Sequence, residues 1–177
     1  MVSILRLGAL LLGIGSLLWG ADSLAYGDAM EAVWCSLVGV GWLVFAAGLW
    51  LAGPRRAAVS GAGLLVAAAG ATHWMLDALA AGSPLSSWVF YGVGMELATV
   101  AALLLWSLPR WRAQVAWAFP PAFAAVLAAG TKLALGGLRG DLLNAGAIVL
   151  TLAGAALVTL RPGTAYERAL APGPASA

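Results

Sequence analysis

Residues 88–106, WVFYGVGMELATVAALLLW, decide how the rest of the chain is interpreted. The stretch is apolar and has about the 20-residue length that a helix needs to cross a bilayer. A tryptophan stands at each end, as expected where aromatic rings lie at the level of the lipid headgroups. In a helix Glu96 falls roughly 12 Å below Trp88, close to the bilayer centre. A charge there costs at least about 2.5–3.5 kcal/mol, which predicts that Glu96 is protonated, paired or facing a wet cavity.

The composition of the whole chain also indicates an integral membrane protein. Of its 177 residues, 63% are hydrophobic and only 9% are charged, whereas about 25% of the residues of a soluble domain are charged. The net charge of +2 comes from a few basic residues in short connections. Orientation in a membrane explains these charges better than nucleic-acid binding. We therefore expect the lipid bilayer as a partner, with a second copy or a membrane partner subunit, and no nucleic acid.

Successive apolar stretches predict an all-α integral membrane protein with six transmembrane helices, arranged as three antiparallel hairpins. The domain takes residues 1–163, and residues 164–177, rich in Pro, Gly and Ala, are predicted to be a disordered cytoplasmic tail. Pro120 and Pro121 either start the fifth helix or bend it. The stretches are residues 4–25, 31–52, 57–80, 88–108, 113–138 and 142–160, so the hairpins span residues 4–52, 57–108 and 113–160.

The charged residues predict the orientation of the bundle. Seven arginines fall on one side of the predicted bundle. Five acids lie at or near the other, where the only basic residues are Arg139 and, deeper, Lys132. The positive-inside rule then puts both termini in the cytoplasm. Abundant Ala, Gly, Leu and Arg with a single lysine indicate a GC-rich bacterial or archaeal genome, and hence the cytoplasmic membrane. The arginines are Arg6, Arg55, Arg56, Arg110, Arg112, Arg161 and Arg168, and the acids are Asp22, Asp28, Glu31, Asp77 and Asp141.

The first two hairpins look like a direct repeat. The first and third stretches match at an offset of 55 residues, and a Gly-Val-Gly at 39–41 recurs at 92–94, an offset of 53. Chance alignment of common residues is the alternative, although the paired Trp-x-x-Asp is harder to dismiss. The matching residues are Gly15, Trp19, Asp22, Leu24, Ala25 and Gly27 with Gly70, Trp74, Asp77, Leu79, Ala80 and Gly82.

Polar groups inside the predicted spans are the candidate binding or translocation residues, because ionisable groups at membrane depth usually face a bundle interior or a cavity. Lys132, the only lysine, needs a carboxylate partner such as Asp77 or Glu96, unless it extends to the interface. His73 and Asp77 share one face of a helix, and His73 alternatively bonds a carbonyl of a neighbouring helix. The candidates are Glu96, Asp77, His73, Lys132, Asp22 and Asn144.

Enzymatic and metal chemistry have little support in the sequence. One histidine and one cysteine, Cys35, cannot build a thiolate cluster or a histidine pair. We therefore expect no metal site and no cofactor. The sequence carries no recognisable catalytic motif, which favours a protein that is not an enzyme.

Two functions lead, and a membrane enzyme that acts on a lipid or quinone is a third hypothesis. The chain is either a small-solute or ion transporter or channel that uses a buried carboxylate, or a structural, assembly or sensing subunit of a larger membrane complex. The duplicated hairpin with a buried acid and lysine favours the first. The many glycines and nine tryptophans on a chain with almost no extramembrane mass favour the second.

Overall fold

Helices account for the whole regular structure of the described residues. A computed structural model of the chain describes residues 2–82, 97–107 and 142–159, and no strand occurs in these ranges. The predicted fifth span and the predicted tail lie outside them. The helices are α1 (Val2–Ala25), α2 (Ala29–Gly48), α3 (Gly53–Ala80), α4 (Leu97–Ser107) and α5 (Leu142–Thr159).

Three of these helices, α1, α2 and α3, are long and apolar enough to cross a membrane. This confirms the prediction of a helical membrane protein at that level. The structure starts α2 and α3 slightly before the predicted spans, and local chemistry explains both starts. The Asp28 side chain caps α2 by accepting the backbone N–H of Glu31 at 2.9 Å. Gly53 has a φ of +58°, and Pro54 suits the first turn of α3, where its missing N–H costs nothing.

The helices pack in a fixed order. Helix α1 lies between α2 and α5, α2 also packs against α3, and α3 also contacts α4. Gly13 of α1 approaches Leu43 of α2, while Gly20 approaches Ala32, so α1 and α2 are antiparallel. Gly8 approaches Leu157 of α5, while Gly15 approaches Thr151, so α5 is antiparallel to α1 as well. The start of α1 therefore lies beside the C-terminal ends of α2 and α5.

Charges separate along the bundle axis. One end carries Arg6, Arg55 and Arg56, and we call it the basic end. There the Arg6 guanidinium lies over the Trp50 ring at 4.3 Å and donates a hydrogen bond to the carbonyl of Leu49. A cation over an aromatic face is attracted by the ring quadrupole, so this contact fastens the start of α1 to the end of α2. The opposite end, which we call the acidic end, carries Asp22, Asp28, Glu31 and Asp77.

Glycines let the helices approach closely. A Cβ atom added at Gly41 of α2 would lie 2.6 Å from the carbonyl oxygen of Gly63 on α3. A Cβ added at Gly154 of α5 would lie 2.7 Å from the carbonyl oxygen of Gly8 on α1. Both distances are too short for a real Cβ atom, so any side chain at these positions would push the helices apart. Small residues at such seams are typical of helix packing in membranes.

The turns after α1 and α3 have the same conformation. Gly27 has a φ of +84° and Gly82 a φ of +64°, a region that other L-residues rarely adopt. Each turn is closed by two equivalent backbone hydrogen bonds, so both helices end in the same way. The donors and acceptors are Tyr26 to Asp22 and Gly27 to Leu24 after α1, and Ala81 to Asp77 and Gly82 to Leu79 after α3.

Candidate functional site

Glu31 of α2 joins three helices at the acidic end. Its carboxylate accepts a hydrogen bond from the Ser23 hydroxyl of α1 at 3.0 Å and from the Trp74 indole N–H of α3 at 3.2 Å. Asp28 and Glu31 have the spacing of a capping box, in which the glutamate side chain usually returns to the start of its own helix. Asp28 caps α2, but the Glu31 side chain instead bonds to the two neighbouring helices.

Tryptophans close the site on the side of α1 and α3. The Trp19 and Trp74 rings meet edge to face with their centroids 5.5 Å apart and an interplanar angle of 78°. This geometry is favourable for aromatic pairs. It also brings the two Trp-x-x-Asp segments of the sequence into contact. We call Glu31, Ser23, Trp19 and Trp74 the Glu31 cluster.

The Ser23 hydroxyl lies between two acceptors. Its single proton can be donated to the Glu31 carboxylate or to the Trp19 carbonyl, and both oxygens are 3.0 Å away. Ser23 therefore links the Glu31 side chain of α2 to the backbone of α1.

Asp22 and Asp77 lie in the last turns of α1 and α3, at the same end as the Glu31 cluster. Asp22 is only 4% exposed, whereas Asp77 is half-buried. Each follows a tryptophan of the Trp19–Trp74 contact by three residues, so the two aspartates belong to the same layer of the bundle. The structure thus gives one predicted site residue, Asp22, a buried position among helices that suit a membrane.

His73 lies on the outer surface of α3. Its ring is exposed and stacks on Trp34 of α2, with centroids 4.8 Å apart and an interplanar angle of 27°. Its Nδ1 lies 2.7 Å from the carbonyl oxygen of Ala69, which belongs to its own helix. Because that oxygen can only accept, Nδ1 carries a proton in this contact.

Three of the sequence candidates are not placed by the structure. Glu96 and Lys132 lie outside the described residues, so their predicted pairing stays a prediction. Asn144 belongs to the first turn of α5, but its side chain is outside the described part. Within residues 2–82, 97–107 and 142–159, no three His, Cys, Asp or Glu side chains lie close enough to hold a metal ion.

Sequence reasoning missed the hydrogen bonds of Glu31 to two neighbouring helices. Glu31 was assigned only to the acidic side of the bundle, and Ser23 and Trp74 had no predicted partner. The spacing of Asp28 and Glu31 signals a helix start, and could have located the residue. Nothing in the sequence indicates that its side chain crosses to α1 and α3.

The fold defines a class, an all-α protein with three helices long and apolar enough to cross a membrane, whose described basic and acidic residues lie at opposite ends. Comparisons with protein-family models, with curated proteins and with solved structures find no match to this chain.

Proposed function

We propose that the chain is a multi-pass protein of the cytoplasmic membrane of a bacterium or archaeon that moves a small solute or ion with the help of buried carboxylates. The observation that carries this proposal is the burial of Asp22, which is 4% exposed near the end of a helix long enough to span the membrane. Ionisable residues in that setting are costly, and they commonly line ion or substrate pathways.

The Glu31 cluster supports proton or cation handling in particular. Glu31 lies at the same end as Asp22, and hydrogen bonds from Ser23 and Trp74 hold its carboxylate in place. Two carboxyl groups at one end of a membrane bundle attract cations to its mouth. In the proposal, Asp22 and Glu31 receive the ion at the acidic end, and Glu96 binds it near the bilayer centre.

Six crossings with both termini in the cytoplasm are part of the proposal. The Trp106 indole donates to the carbonyl of Ala57 at 3.0 Å, so α4 ends at the basic end. Because α5 is antiparallel to α1, Leu142 lies toward the acidic end. The end of α4 and the start of α5 therefore lie at opposite ends of the bundle, which supports one further crossing between them. The basic end is cytoplasmic by the positive-inside rule.

Duplication of the first two hairpins is also proposed. The identical turns at Gly27 and Gly82 support it, as does the contact between the equivalent residues Trp19 and Trp74. Equivalent glycines also have equivalent environments: Gly15 faces the antiparallel helix α5, and Gly70 faces the antiparallel helix α2. Parallel repeats of this kind are common in transporters and enclose a site between the copies.

Flux through reconstituted vesicles tests the proposal. Purified protein in liposomes is assayed for proton flux with a trapped pH-sensitive dye, and for Na⁺ and K⁺ flux with ion-selective electrodes. We expect Asp22→Asn and Glu96→Gln to lower the flux at least about tenfold, equivalent to roughly 1.4 kcal/mol. The matched control is Asp28→Asn, which removes an exposed charge from the same end and keeps a good helix cap. Flux that is unaltered in both test variants would show that neither carboxylate takes part.

The alternative is a non-catalytic structural, assembly or sensing subunit. A groove of about 390 Å³ lies on α2 beside Leu24 of α1, and its mainly apolar lining fits a partner helix as well as lipid tails. Gentle extraction of the tagged protein from its native membrane, followed by mass measurement, separates the two functions. A stoichiometric partner that Lys132→Met releases would favour the subunit. The groove is lined by Leu24, Ala29, Ala32, Val33, Ser36, Leu37 and Val40.

A further inference from the structure

Four hydrogen-bonding side chains are buried in the middle of the bundle without a partner among the described residues. They are the indole N–H of Trp42 and the hydroxyl groups of Ser16, Thr99 and Thr151. Trp42 and Thr99 are 0% exposed, Ser16 is 1% and Thr151 is 2%. They come from four different helices. Lipid tails offer no hydrogen bonds, so an unpartnered polar group at membrane depth is costly.

Trp42 of α2 and Thr99 of α4 are buried at a similar depth of the bundle. The Phe45 ring contacts both the Trp42 ring and the Trp106 ring, with centroids 5.6 and 5.5 Å apart, so this aromatic row links α2 to α4. Thr99 precedes Trp106 by seven residues, which puts it on the same face of α4 and about 10 Å closer to the acidic end. Ala57 of α3 accepts the hydrogen bond from Trp106. Leu64 lies seven residues further along α3, next to Gly63, and so has the same depth as Thr99. Gly63 packs against Gly41, so Trp42 and Thr99 have a similar depth.

Ser16 of α1 and Thr151 of α5 lie close to that depth. A Cβ atom added at Gly15 would lie 2.5 Å from the Thr151 hydroxyl, so this hydroxyl reaches the surface of α1 beside Ser16. Ser16 precedes Trp19 by one helical turn, and Trp19 meets Trp74 inside the bundle. Gly13 packs against Leu43, the residue after Trp42, so Gly13 and Trp42 have a similar depth. Ser16 is three residues further along α1, or about 4.5 Å.

We infer that these four groups bind ordered water in a hydrated site at mid-depth of the bundle. The three hydroxyls can donate and accept, and the indole can donate, so together they match water, which needs two to four polar partners when buried. All four groups are uncharged, and they favour a neutral ligand over a bare ion. Water at this level would allow a proton or a small hydrated solute to pass the apolar middle of the bundle.

This site goes beyond the proposed transport function. Hydration at mid-depth is a property of the folded protein and does not require flux. A protein that binds water here but transports nothing would overturn the transport proposal alone, and a dry site with measurable flux would overturn this inference alone.

Radiolytic footprinting of the full-length protein in detergent tests the site directly. Short X-ray pulses split bound water into hydroxyl radicals, which oxidise the nearest side chains, and mass spectrometry locates the oxidation. We expect oxidation of Trp42 although it is fully buried. Trp50, which is 69% exposed, is the positive control. Leu49 is also fully buried but lies seven residues from Trp42 toward the basic end, away from Ser16, and it should stay unoxidised. An unoxidised Trp42 in protein whose Trp50 is oxidised would overturn the inference.

Thermal unfolding of two isosteric variants gives a second, independent readout. Thr99→Val and Thr151→Val keep the shape of the side chain and remove only its hydrogen bonding. If the hydroxyls bind water, each variant should lower Tm by about 2–4 °C. If the site is dry, removal of an unpartnered hydroxyl leaves Tm unchanged or raises it, and that result would also overturn the inference. Thr72→Val is the matched control, since the Thr72 hydroxyl donates to the carbonyl of Ala68 in its own helix at 2.8 Å.

Discussion

Trp74 donates its indole N–H to the Glu31 carboxylate at 3.2 Å, across 43 residues of sequence. The bond joins the end of α3 to the start of α2, and the Ser23 hydroxyl on the same carboxylate adds the end of α1. One glutamate thus holds the acidic ends of three helices together. The two bonds also keep a carboxyl group at a fixed place near the end of a bundle whose helices suit a membrane.

A double-mutant cycle on this pair should reveal direct coupling. Trp74→Phe removes the N–H and keeps a ring against Trp19, and Glu31→Gln removes the charge and keeps the shape. Because a hydrogen bond to a charged group contributes about 1.5–3 kcal/mol, each variant should lower the free energy of unfolding by roughly that amount. Together they should lower it by less than the sum, as measured by denaturant unfolding in detergent. Leu65→Ala, at an exposed position of α3, is the control. Additive losses would mean that the two side chains act independently.

The glycine seam between α2 and α3 should not tolerate a methyl group. Gly41→Ala and Gly63→Ala each introduce a Cβ within 2.6 Å of the other glycine's carbonyl oxygen. Overpacking of this kind costs about 1–3 kcal/mol, measurable as a lower midpoint of denaturant unfolding. Gly146→Ala in α5 is the matched control, because a Cβ there meets nothing within 4 Å. That variant should be neutral or more stable by up to about 1 kcal/mol. If all three variants behave alike, the close approach of α2 and α3 is wrong.

Substitution of the turn glycines should lower the stability of the protein through backbone strain and not through crowding. Gly27 and Gly82 have positive φ values of 84° and 64°, and a Cβ at either would meet nothing within 4 Å. Gly27→Ala and Gly82→Ala should each cost about 1–2 kcal/mol of unfolding free energy. The corresponding Asn variants should cost less, because Asn tolerates this conformation better. A large difference between the two positions would argue against equivalent turns and hence against duplication of the hairpins.

Orientation in the membrane can be read from cysteine labelling. In a Cys35→Ala background, Tyr26→Cys and Ala58→Cys introduce thiols at exposed positions near the acidic and the basic end. With both termini in the cytoplasm, a membrane-impermeant maleimide added to intact cells should label the cysteine at position 26. The cysteine at position 58 should react only after the cells are permeabilised. The reverse pattern would place the acidic end in the cytoplasm.

At the acidic end, the sequence predicted some of the important residues but not their side-chain partners. Asp22 and Asp77 were found from their depth in apolar stretches, because a costly charge inside such a stretch can be recognised from the sequence alone. The part of Glu31 was missed, since its bonds to Ser23 and Trp74 depend on how three helices meet. His73 was singled out for the same reason as Asp22, but rotation of α3 puts it on the outer surface against Trp34.

The sequence by itself determined the class of protein and the positions of its first three helices, because hydrophobic length and short polar connections are local properties that a bilayer selects for directly. Among the described residues, it also predicted correctly that Arg6, Arg55 and Arg56 lie at the opposite end from the four acids. Only the tertiary structure decided that α1 lies between α2 and α5, that Trp19 meets Trp74, and that Glu31 joins three helices. Packing order and helix rotation depend on which glycine faces fit together at close range, and that fit is a property of pairs of surfaces, which no single stretch of sequence contains.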